Sequence, residues 1–145
     1  MTVALSILAL VLSVTSLSLS AYVAFRDRGR LRTKSTFYPA HEGRSPMLRV
    51  EAINVGRRPI ILTLFGGYYE DGHWRGTYIG DYKTGVRLGE NEKFSEDIDD
   101  LHHMIFDHEE GVTVSDFWFE DTLGRRYPVK GAKKHLGQFF ARDAA

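Results

Sequence analysis

The chain has 145 residues, no cysteine, and 19 basic against 19 acidic side chains, which gives a formal net charge of zero. The lack of cysteine excludes disulfides, thiol nucleophiles and thiolate metal sites. Nucleic-acid binding is disfavoured as well, because the sequence lacks a basic stripe with interleaved aromatic residues.

The first predicted element is a transmembrane anchor helix over residues 1–25. No charged side chain occurs from Thr2 to Phe25, and at about 1.5 Å per residue such a helix crosses a hydrocarbon core of about 30 Å. Small residues recur at spacings of three and four, which predicts a face for association with a second copy or with a partner membrane helix. In the alternative reading, the serine hydroxyls bond only to their own helix. The residues assigned to helix association are Ser6, Ala9, Ser13, Ser16 and Ser20.

A basic juxtamembrane connector is predicted over residues 26–45. Basic segments stay on the cytoplasmic side of a membrane. We therefore expect a single-pass protein of the inner (cytoplasmic) membrane, with its N-terminus outside and its C-terminal domain in the cytosol. The residues assigned to the membrane interface are Arg26, Arg28, Arg30, Arg32 and Lys34.

A cleaved signal peptide is the alternative to an anchor. Ser18-Leu19-Ser20 before Ala21 has the small residues of a cleavage site. However, no basic residue precedes the apolar run, and the run exceeds the usual signal core of about 7–15 residues. Cleavage would release an exported β domain.

Residues 46–130 predict a mainly β domain, an immunoglobulin-like antiparallel β-sandwich of about seven strands. The turn at residues 54–59 predicts one hairpin, Asp71-Gly72 a second, and residues 121–124 a third. The strand from Ile60 to Tyr69 is apolar on both faces, which predicts a central position. Two shorter strands are expected on either side of residues 89–91, and residues 98–106 are a candidate short helix.

The tail over residues 131–145 is predicted to form a short helix that carries Leu136, Phe139 and Phe140. This helix either lies on the membrane or packs over an open sheet edge.

Several runs of the chain resemble a group of short bacterial and prophage-associated single-pass membrane proteins. The resemblance implies one N-terminal membrane helix and a small β-sandwich domain, and the group has no established activity. The runs that carry it are residues 54–62, 74–78, 88–90 and 119–129.

Charge is segregated along the chain. Residues 87–121 hold twelve acidic side chains against Arg87 and Lys93, whereas residues 122–145 hold six basic ones against Asp143. Because an anionic leaflet attracts basic residues and repels acidic ones, we expect the acidic surface to face the cytosol. In the alternative reading, these charges are simply solvated.

The segment of residues 99–110 is the densest collection of metal-ligating side chains. If it is helical, Asp99, His103 and Asp107 share one face and offer carboxylate and imidazole ligands to a divalent ion such as zinc. A metal-dependent enzyme that uses this segment is therefore an alternative function. The spacing matches no recognised metalloenzyme motif, so we assign no catalytic residue, no cofactor and no resident metal.

Two further groups are candidate contact residues. The arginine doublets at residues 57–58 and 125–126 predict binding of an anion or a lipid headgroup if folding brings them together. Exposed aromatic residues would bind a peptide or a sugar, whereas buried ones would form the core. The doublets consist of Arg57, Arg58, Arg125 and Arg126, and the aromatic set of Tyr68, Tyr69, Trp74, Tyr78, Tyr82, Phe117, Trp118 and Phe119.

The sequence lacks a phosphate-binding glycine loop and a nucleophile elbow, so it favours a non-enzymatic function. We expect a membrane-anchored protein that presents its β-sandwich as a binding or scaffolding module to a cytosolic protein.

Overall fold

A computed structural model of the protein describes residues 2–99 and 113–141. Its elements, in chain order, are α1 (Thr2–Arg26), β1 (Leu31–Tyr38), β2 (Met47–Asn54), β3 (Ile60–Tyr69), β4 (Trp74–Tyr78), β5 (Val86–Leu88), β6 (Lys93–Ile98), β7 (Val114–Asp121), β8 (Arg126–Pro128) and α2 (Ala132–Ala141). The prediction of a mainly β protein behind one apolar N-terminal helix is confirmed.

The strands form two antiparallel sheets. The smaller sheet has the order β1-β2-β6, and the larger has the order β4-β3-β7-β8, with β5 paired to β3. β3 is hydrogen-bonded to β7 on one side and to β4 and β5 on the other, so its predicted central position is confirmed. The finer assignment to the immunoglobulin class stays a prediction.

Two of the three predicted hairpins are confirmed. Asp71 forms the β3-β4 turn by accepting the His73 amide on its carboxylate at 3.0 Å. The β7-β8 turn is closed in the same way by Asp121, whose Oδ1 accepts the amides of Leu123 and Arg125, each at 2.9 Å. An aspartate that binds backbone amides two to four residues ahead favours such tight turns.

The hairpin predicted at residues 54–59 is wrong. β2 pairs with β1 and β6, whereas β3 belongs to the larger sheet, so this turn carries the chain from one sheet to the other. The turn at residues 89–91 also connects strands of different sheets. Glycine and proline at residues 56 and 59 specify a change of direction, but they do not specify which strands pair afterwards.

The predicted connector over residues 26–45 contains a full strand. β1 pairs with β2 along its whole length, from Leu31 opposite Asn54 to Tyr38 opposite Met47. The structure therefore has eight strands among the described residues. Only residues 27–30 separate α1 from the domain, and the apolar helix is therefore joined closely to the sandwich.

The core lies between the two sheets. Leu48 and Val50 of β2 face Phe65, Phe117 and Phe119 of the larger sheet, and all five side chains are almost fully buried. The Phe65 ring packs against those of Phe117 and Phe119, with centroid distances of 5.2 and 5.1 Å.

α2 closes one side of the sandwich, between β1 and β7. Its Leu136 and Phe139 are buried in the core, because their spacing of three residues places them on one helical face. The predicted C-terminal helix is thus confirmed, and its apolar face covers the sheets instead of lying on a membrane.

α1 is a separate apolar helix. Its candidate span, Val3–Phe25, has 23 residues and a mean hydropathy of 2.2, and none of it is buried. A helix of this composition in water would expose a continuous apolar surface, which soluble domains avoid. It is long enough to cross a membrane, and a signal sequence has the same properties.

Candidate functional site

An aromatic surface occupies the outer face of the larger sheet. Four residues form it, and we call this set the aromatic platform: Tyr68, Trp74, Trp118 and Arg126. The alternation of side chains along a strand puts Trp118 on the face opposite Phe117 and Phe119. Trp118 is nevertheless only 1% exposed, because its three partners cover it. Trp74 packs edge-on at 5.6 Å between ring centroids, and Tyr68 lies at 6.0 Å.

Two glycines make the floor of the aromatic platform. Gly66 of β3 pairs with Gly76 of β4, and on its other side Gly66 pairs with Trp118. A Cβ atom on Gly66 would overlap the indole ring, and one on Gly76 would lie 3.4 Å from it. The absence of side chains at this cross-strand pair lets the Trp118 ring lie flat on the sheet.

Arg126 holds the aromatic platform together. Its guanidinium carbon lies 4.1 Å from the ring centroid of Trp118 and 4.3 Å from that of Trp74. Nε donates to the Glu120 carboxylate at 2.9 Å, and a terminal nitrogen donates to the Tyr68 hydroxyl at 3.2 Å. These two hydrogen bonds, to Tyr68 and then to Glu120, raise the pKa of Arg126.

The aromatic platform remains accessible at its rim. Trp74 is 49% exposed and Tyr68 is 37% exposed. Tyr78, on the same face of β4 as Trp74, packs edge-on against Tyr82 at 4.9 Å between centroids. The predicted aromatic set therefore divides: Tyr69, Phe117 and Phe119 belong to the core, whereas Tyr68, Trp74, Tyr78 and Tyr82 form an exposed surface.

The outer face of the smaller sheet is charged instead. Lys34 of β1 lies opposite Glu51 of β2 and binds its carboxylate at 2.7 Å, with Lys93 of β6 at 3.5 Å. The hydrogen bond from Lys34 is the main cause that lowers the pKa of Glu51. Arg49 and Asp97 form a two-point ion pair with distances of 2.6 and 2.7 Å. Lys34, which the sequence assigns to the membrane interface, lies within this sheet, and its role at the interface stays a prediction.

Several arginines gather at the end of the sandwich next to α1. Arg28, Arg58 and Arg125 line one cleft, together with Asp121 and Leu123. Folding thus brings one arginine of each predicted doublet together with one residue of the juxtamembrane cluster. Arg126, the fourth doublet residue, lies apart in the aromatic platform.

Asp121 is the acidic residue in this cleft, and its charge is strongly compensated. Besides the two turn amides, its carboxylate accepts a hydrogen bond from the Tyr127 hydroxyl at 2.9 Å and lies 3.3 Å from Nε of Arg125. Burial, followed by this hydrogen bond to Asp121, raises the pKa of Tyr127.

The remaining interface candidates lie close by. Arg30 and Arg57 line a second cleft with Tyr22 and Phe25 from the last turns of α1, and Arg30 also lines a third cleft with Arg32. Arg28 stacks on the Phe25 ring at 4.5 Å. Arg26 is the last residue of α1.

Asn54 organises this end of the sandwich, and sequence analysis missed it. The fully buried side chain donates to the carbonyl groups of Arg58, at 2.8 Å, and Leu88, at 3.0 Å. Its own amide oxygen accepts the Gly56 amide at 3.0 Å. An asparagine before a glycine signals a turn, but the partner at residue 88 depends on long-range folding.

The juxtamembrane chain packs directly on Gly56. A Cβ atom there would overlap the Arg28 carbonyl oxygen and lie 2.5 Å from the Arg30 amide nitrogen. The Arg30 carbonyl accepts the Val55 amide at 2.8 Å. Glycine at this position is therefore required for the close approach of two backbone segments.

The proposed metal ligands fall mostly outside the described residues. Asp99 is exposed at the end of β6, whereas His103 and Asp107, like the candidate helix at residues 98–106 beyond its first two residues, lie outside them. Over residues 2–99 and 113–141, no group of three or more metal-ligating side chains converges.

Ser35 and His135 form a pair that sequence analysis missed. The Ser35 hydroxyl donates to the Lys130 carbonyl at 3.0 Å and lies 2.7 Å from Nδ1 of His135. The pair fastens α2 to β1. In the same way, Thr33 donates to the Pro128 carbonyl at 2.6 Å.

The helix-association residues lie along one side of α1, within an arc of about 80° at 100° per residue. Thr15 and Ser18, off this stripe, donate to the carbonyl groups of Val11 and Val14 at 2.7 and 2.8 Å. These bonds show that hydroxyl groups in α1 bond to their own helix. Association through the stripe stays a prediction.

Comparison with known proteins adds little. No family model and no curated protein matches the chain. Among solved structures, the chain is similar to the X-ray structure of Northeast Structural Genomics Consortium target SoR45, with 10% identity and a TM-score of 0.30 over 72% of this chain and 82% of that chain. A likeness at this level carries no argument about fold or function.

Proposed function

We propose that this protein is a single-pass membrane protein that presents its β-sandwich to the cytosol as a protein-binding module, with the aromatic platform as the binding surface. The observation that carries this proposal is the exposed rim of Trp74 and Tyr68 around a buried, rigidly held Trp118. Such a surface offers apolar area without a large loss of side-chain entropy on binding.

The composition of the aromatic platform supports a protein partner. Tryptophan, tyrosine and arginine are the residues most enriched at the energetic centres of protein interfaces. Arg126 is already positioned by Glu120 and by two aromatic rings, so a partner would meet a preorganised surface. Preorganisation reduces the cost of ordering side chains upon association.

α1 and its junction with the domain support the anchor. The helix is apolar along 23 residues, and the four residues after it lead directly into β1. The basic residues around the junction are on the side that the positive-inside rule assigns to the cytosol.

Site-specific photocrosslinking in native membranes tests the binding surface. A photoreactive phenylalanine analogue replaces Tyr78, which is 55% exposed beside the aromatic platform, or, as the matched control, Tyr38, which is 42% exposed on the smaller sheet. We expect a discrete protein adduct from residue 78 that is absent from residue 38. The adduct should disappear when Trp74→Ala is added. Equal adducts from both positions, or an adduct insensitive to Trp74→Ala, would contradict the proposal.

Orientation is testable because the chain has no native cysteine. Glu70→Cys introduces a single exposed thiol at the β3-β4 end of the domain. We expect an impermeant maleimide to label it in permeabilised cells and not in intact ones. Labelling of intact cells would show the opposite orientation. A mature chain that begins at Ala21 would show a cleaved signal peptide and an exported domain.

A further inference from the structure

Four chain segments meet at one end of the sandwich. Antiparallel pairing puts Leu31 beside Asn54 and Leu62 beside Asp121, and Ile60 beside Leu88. The turns that follow or precede these residues therefore lie at the end where α1 enters. We call this surface the basic end: residues 28–30, 55–58, 89–92 and 122–125.

The basic end has a net positive cleft. Among the residues that line it, three are arginines and one is acidic: Arg28, Arg58 and Arg125 against Asp121. The Asp121 carboxylate is occupied by two backbone amides, the Tyr127 hydroxyl and one arginine. The other two arginines therefore add positive charge that no acidic residue of the cleft lining balances.

An exposed leucine stands at the same place. Leu123, at the tip of the β7-β8 turn, is 71% exposed and lines the cleft with the three arginines. Val55, in the neighbouring turn, is 41% exposed and is followed by Arg57 and Arg58. An apolar residue beside arginines is the pattern of a surface that enters the headgroup layer, where apolar groups reach the acyl boundary and cations bind phosphates.

The depth of this surface is set by α1. Arg57 shares a cleft with Tyr22 and Phe25, which are aromatic residues of the last helical turns. Aromatic residues at the ends of a membrane span lie at headgroup level. The turn at residues 55–58 is consequently beside the headgroups when α1 spans the bilayer.

We propose that the basic end docks on the headgroup layer of an anionic membrane, with Arg28, Arg58 and Arg125 binding lipid phosphate and Leu123 inserted beneath it. This rests on the proposed membrane span of α1. Docking holds the sandwich against the bilayer and leaves the opposite end of the domain, at Glu70, in the aqueous phase.

Full-length protein in lipid nanodiscs tests the docking. Leu123→Cys carries an environment-sensitive fluorophore, and the matched control is the same fluorophore at Glu70→Cys, at the opposite end of the domain. Discs contain phosphatidylcholine alone or phosphatidylcholine with phosphatidylglycerol. We expect blue-shifted emission and protection from an aqueous quencher at residue 123 in anionic discs, and a water-exposed signal at residue 70 in both.

Arginine substitutions test the cleft. In the test variant, Arg28, Arg58 and Arg125 are each changed to Gln. In the control variant, Arg44, Arg75 and Lys83 are changed to Gln, so that the same charge is removed outside the cleft. We expect the ratio of docked to undocked domain to fall about five-fold for each cleft arginine removed, and to stay unchanged in the control. Arg58→Gln alone is the variant expected to leave the fold intact. Asn54 donates to the main-chain carbonyl of Arg58 and not to its guanidinium, so this hydrogen bond does not depend on the side chain at residue 58.

The outcomes separate the two proposals. Protein that is lost from the discs contradicts the membrane span. Protein that is retained, but whose fluorophore at residue 123 emits identically in neutral and anionic discs, overturns the docking alone. If the control triple variant loses docking as strongly as the cleft triple variant, the attraction is a general effect of net charge, and the cleft has no specific role.

A titration with inorganic phosphate at constant ionic strength distinguishes the two sources of the ligand. If phosphate binds while the fluorophore at residue 123 still reports water, the cleft binds free anions and the lipid-docking proposal is overturned.

Discussion

The guanidinium of Arg126 lies 4.1 Å above the ring of Trp118, and this contact explains how an outward-facing tryptophan is buried. Trp118 occupies the solvent side of the larger sheet, yet it is only 1% exposed. The cation covers one face of the indole and the Gly66–Gly76 pair supports the other. Its indole nitrogen has no hydrogen-bond partner among the described residues, so the ring is held by packing and by the cation.

Arg126→Ala should destabilise the domain by about 2 kcal/mol, because it removes a cation–π contact, leaves Glu120 without its ion-pair partner and exposes Trp118. Arg125→Ala is the matched control: its side chain is 61% exposed, and we expect a loss below about 1 kcal/mol. Urea unfolding monitored by tryptophan fluorescence measures both. Equal losses would contradict the role of Arg126.

Gly66→Ala should be among the most damaging substitutions in the chain. The new methyl group would overlap the Trp118 ring and lie 2.6 Å from the Arg75 carbonyl oxygen, so we expect a loss of at least about 3 kcal/mol. Gly137→Ala makes the same chemical change in α2, where nothing lies within 4 Å. It should stabilise by about 0.5–1 kcal/mol through helix propensity. Thermal unfolding should show shifts of opposite sign.

Asn54→Ala should cost about 2–4 kcal/mol, because it removes the partner of the buried Leu88 carbonyl, of the buried Gly56 amide and of the partly buried Arg58 carbonyl. The control is Asn91→Gly. Asn91 has a φ of 61°, in the left-handed region that glycine adopts freely, so we expect a change within about 0.5 kcal/mol. Chemical unfolding measures the loss, and hydrogen exchange should localise it to the basic end. A neutral Asn54→Ala would show that water replaces the lost bonds.

Stability should fall in acid through Glu51. The Lys34 hydrogen bond, with Lys93, lowers the pKa of this carboxylate in the folded state below the ordinary value of 4.5. The contribution of Glu51 is therefore complete above that ordinary value, and it is lost as the pH falls through the folded-state pKa. Glu51→Gln should lower the melting temperature at neutral pH, and the difference from the native protein should shrink as the pH falls below 4.5. A constant difference across this range would contradict the pKa assignment.

The elements that could be predicted from sequence are those whose signals are local. Asp71 and Asp121 specify tight turns because their carboxylates bind nearby backbone amides. The helix α1 is recognisable from the length of its apolar run. Leu136 and Phe139 likewise mark the buried face of α2 by their spacing. Each of these signals fits within a few consecutive residues.

β1 was missed because the middle of its inner face is polar. Thr33 and Ser35 point toward the core, but they bond to the carbonyl groups of Pro128 and Lys130, nearly a hundred residues later. The apolar residues of this face, Leu31 and Phe37, lie at its two ends, and the two hydroxyl residues between them interrupt the apolar alternation. Its buried hydroxyl groups are acceptable only because a distant segment supplies their acceptors.

The candidate surfaces were predicted only in part, for the same reason. The alternation in β7 places Trp118 outward, but its burial depends on the pairing of Gly66 with Gly76 and on Arg126. The two arginine doublets looked equivalent as dipeptides. In the structure, Arg125 lies in the turn and lines the cleft, whereas Arg126 begins β8 and lies on the aromatic platform.

The backbone of residues 28–30, which connects α1 to β1, is in close contact with Gly56. Any side chain at residue 56 would push residues 28–30 away from the turn between β2 and β3. The course of the chain from the end of α1 into β1 therefore depends on a single glycine that lies in neither element.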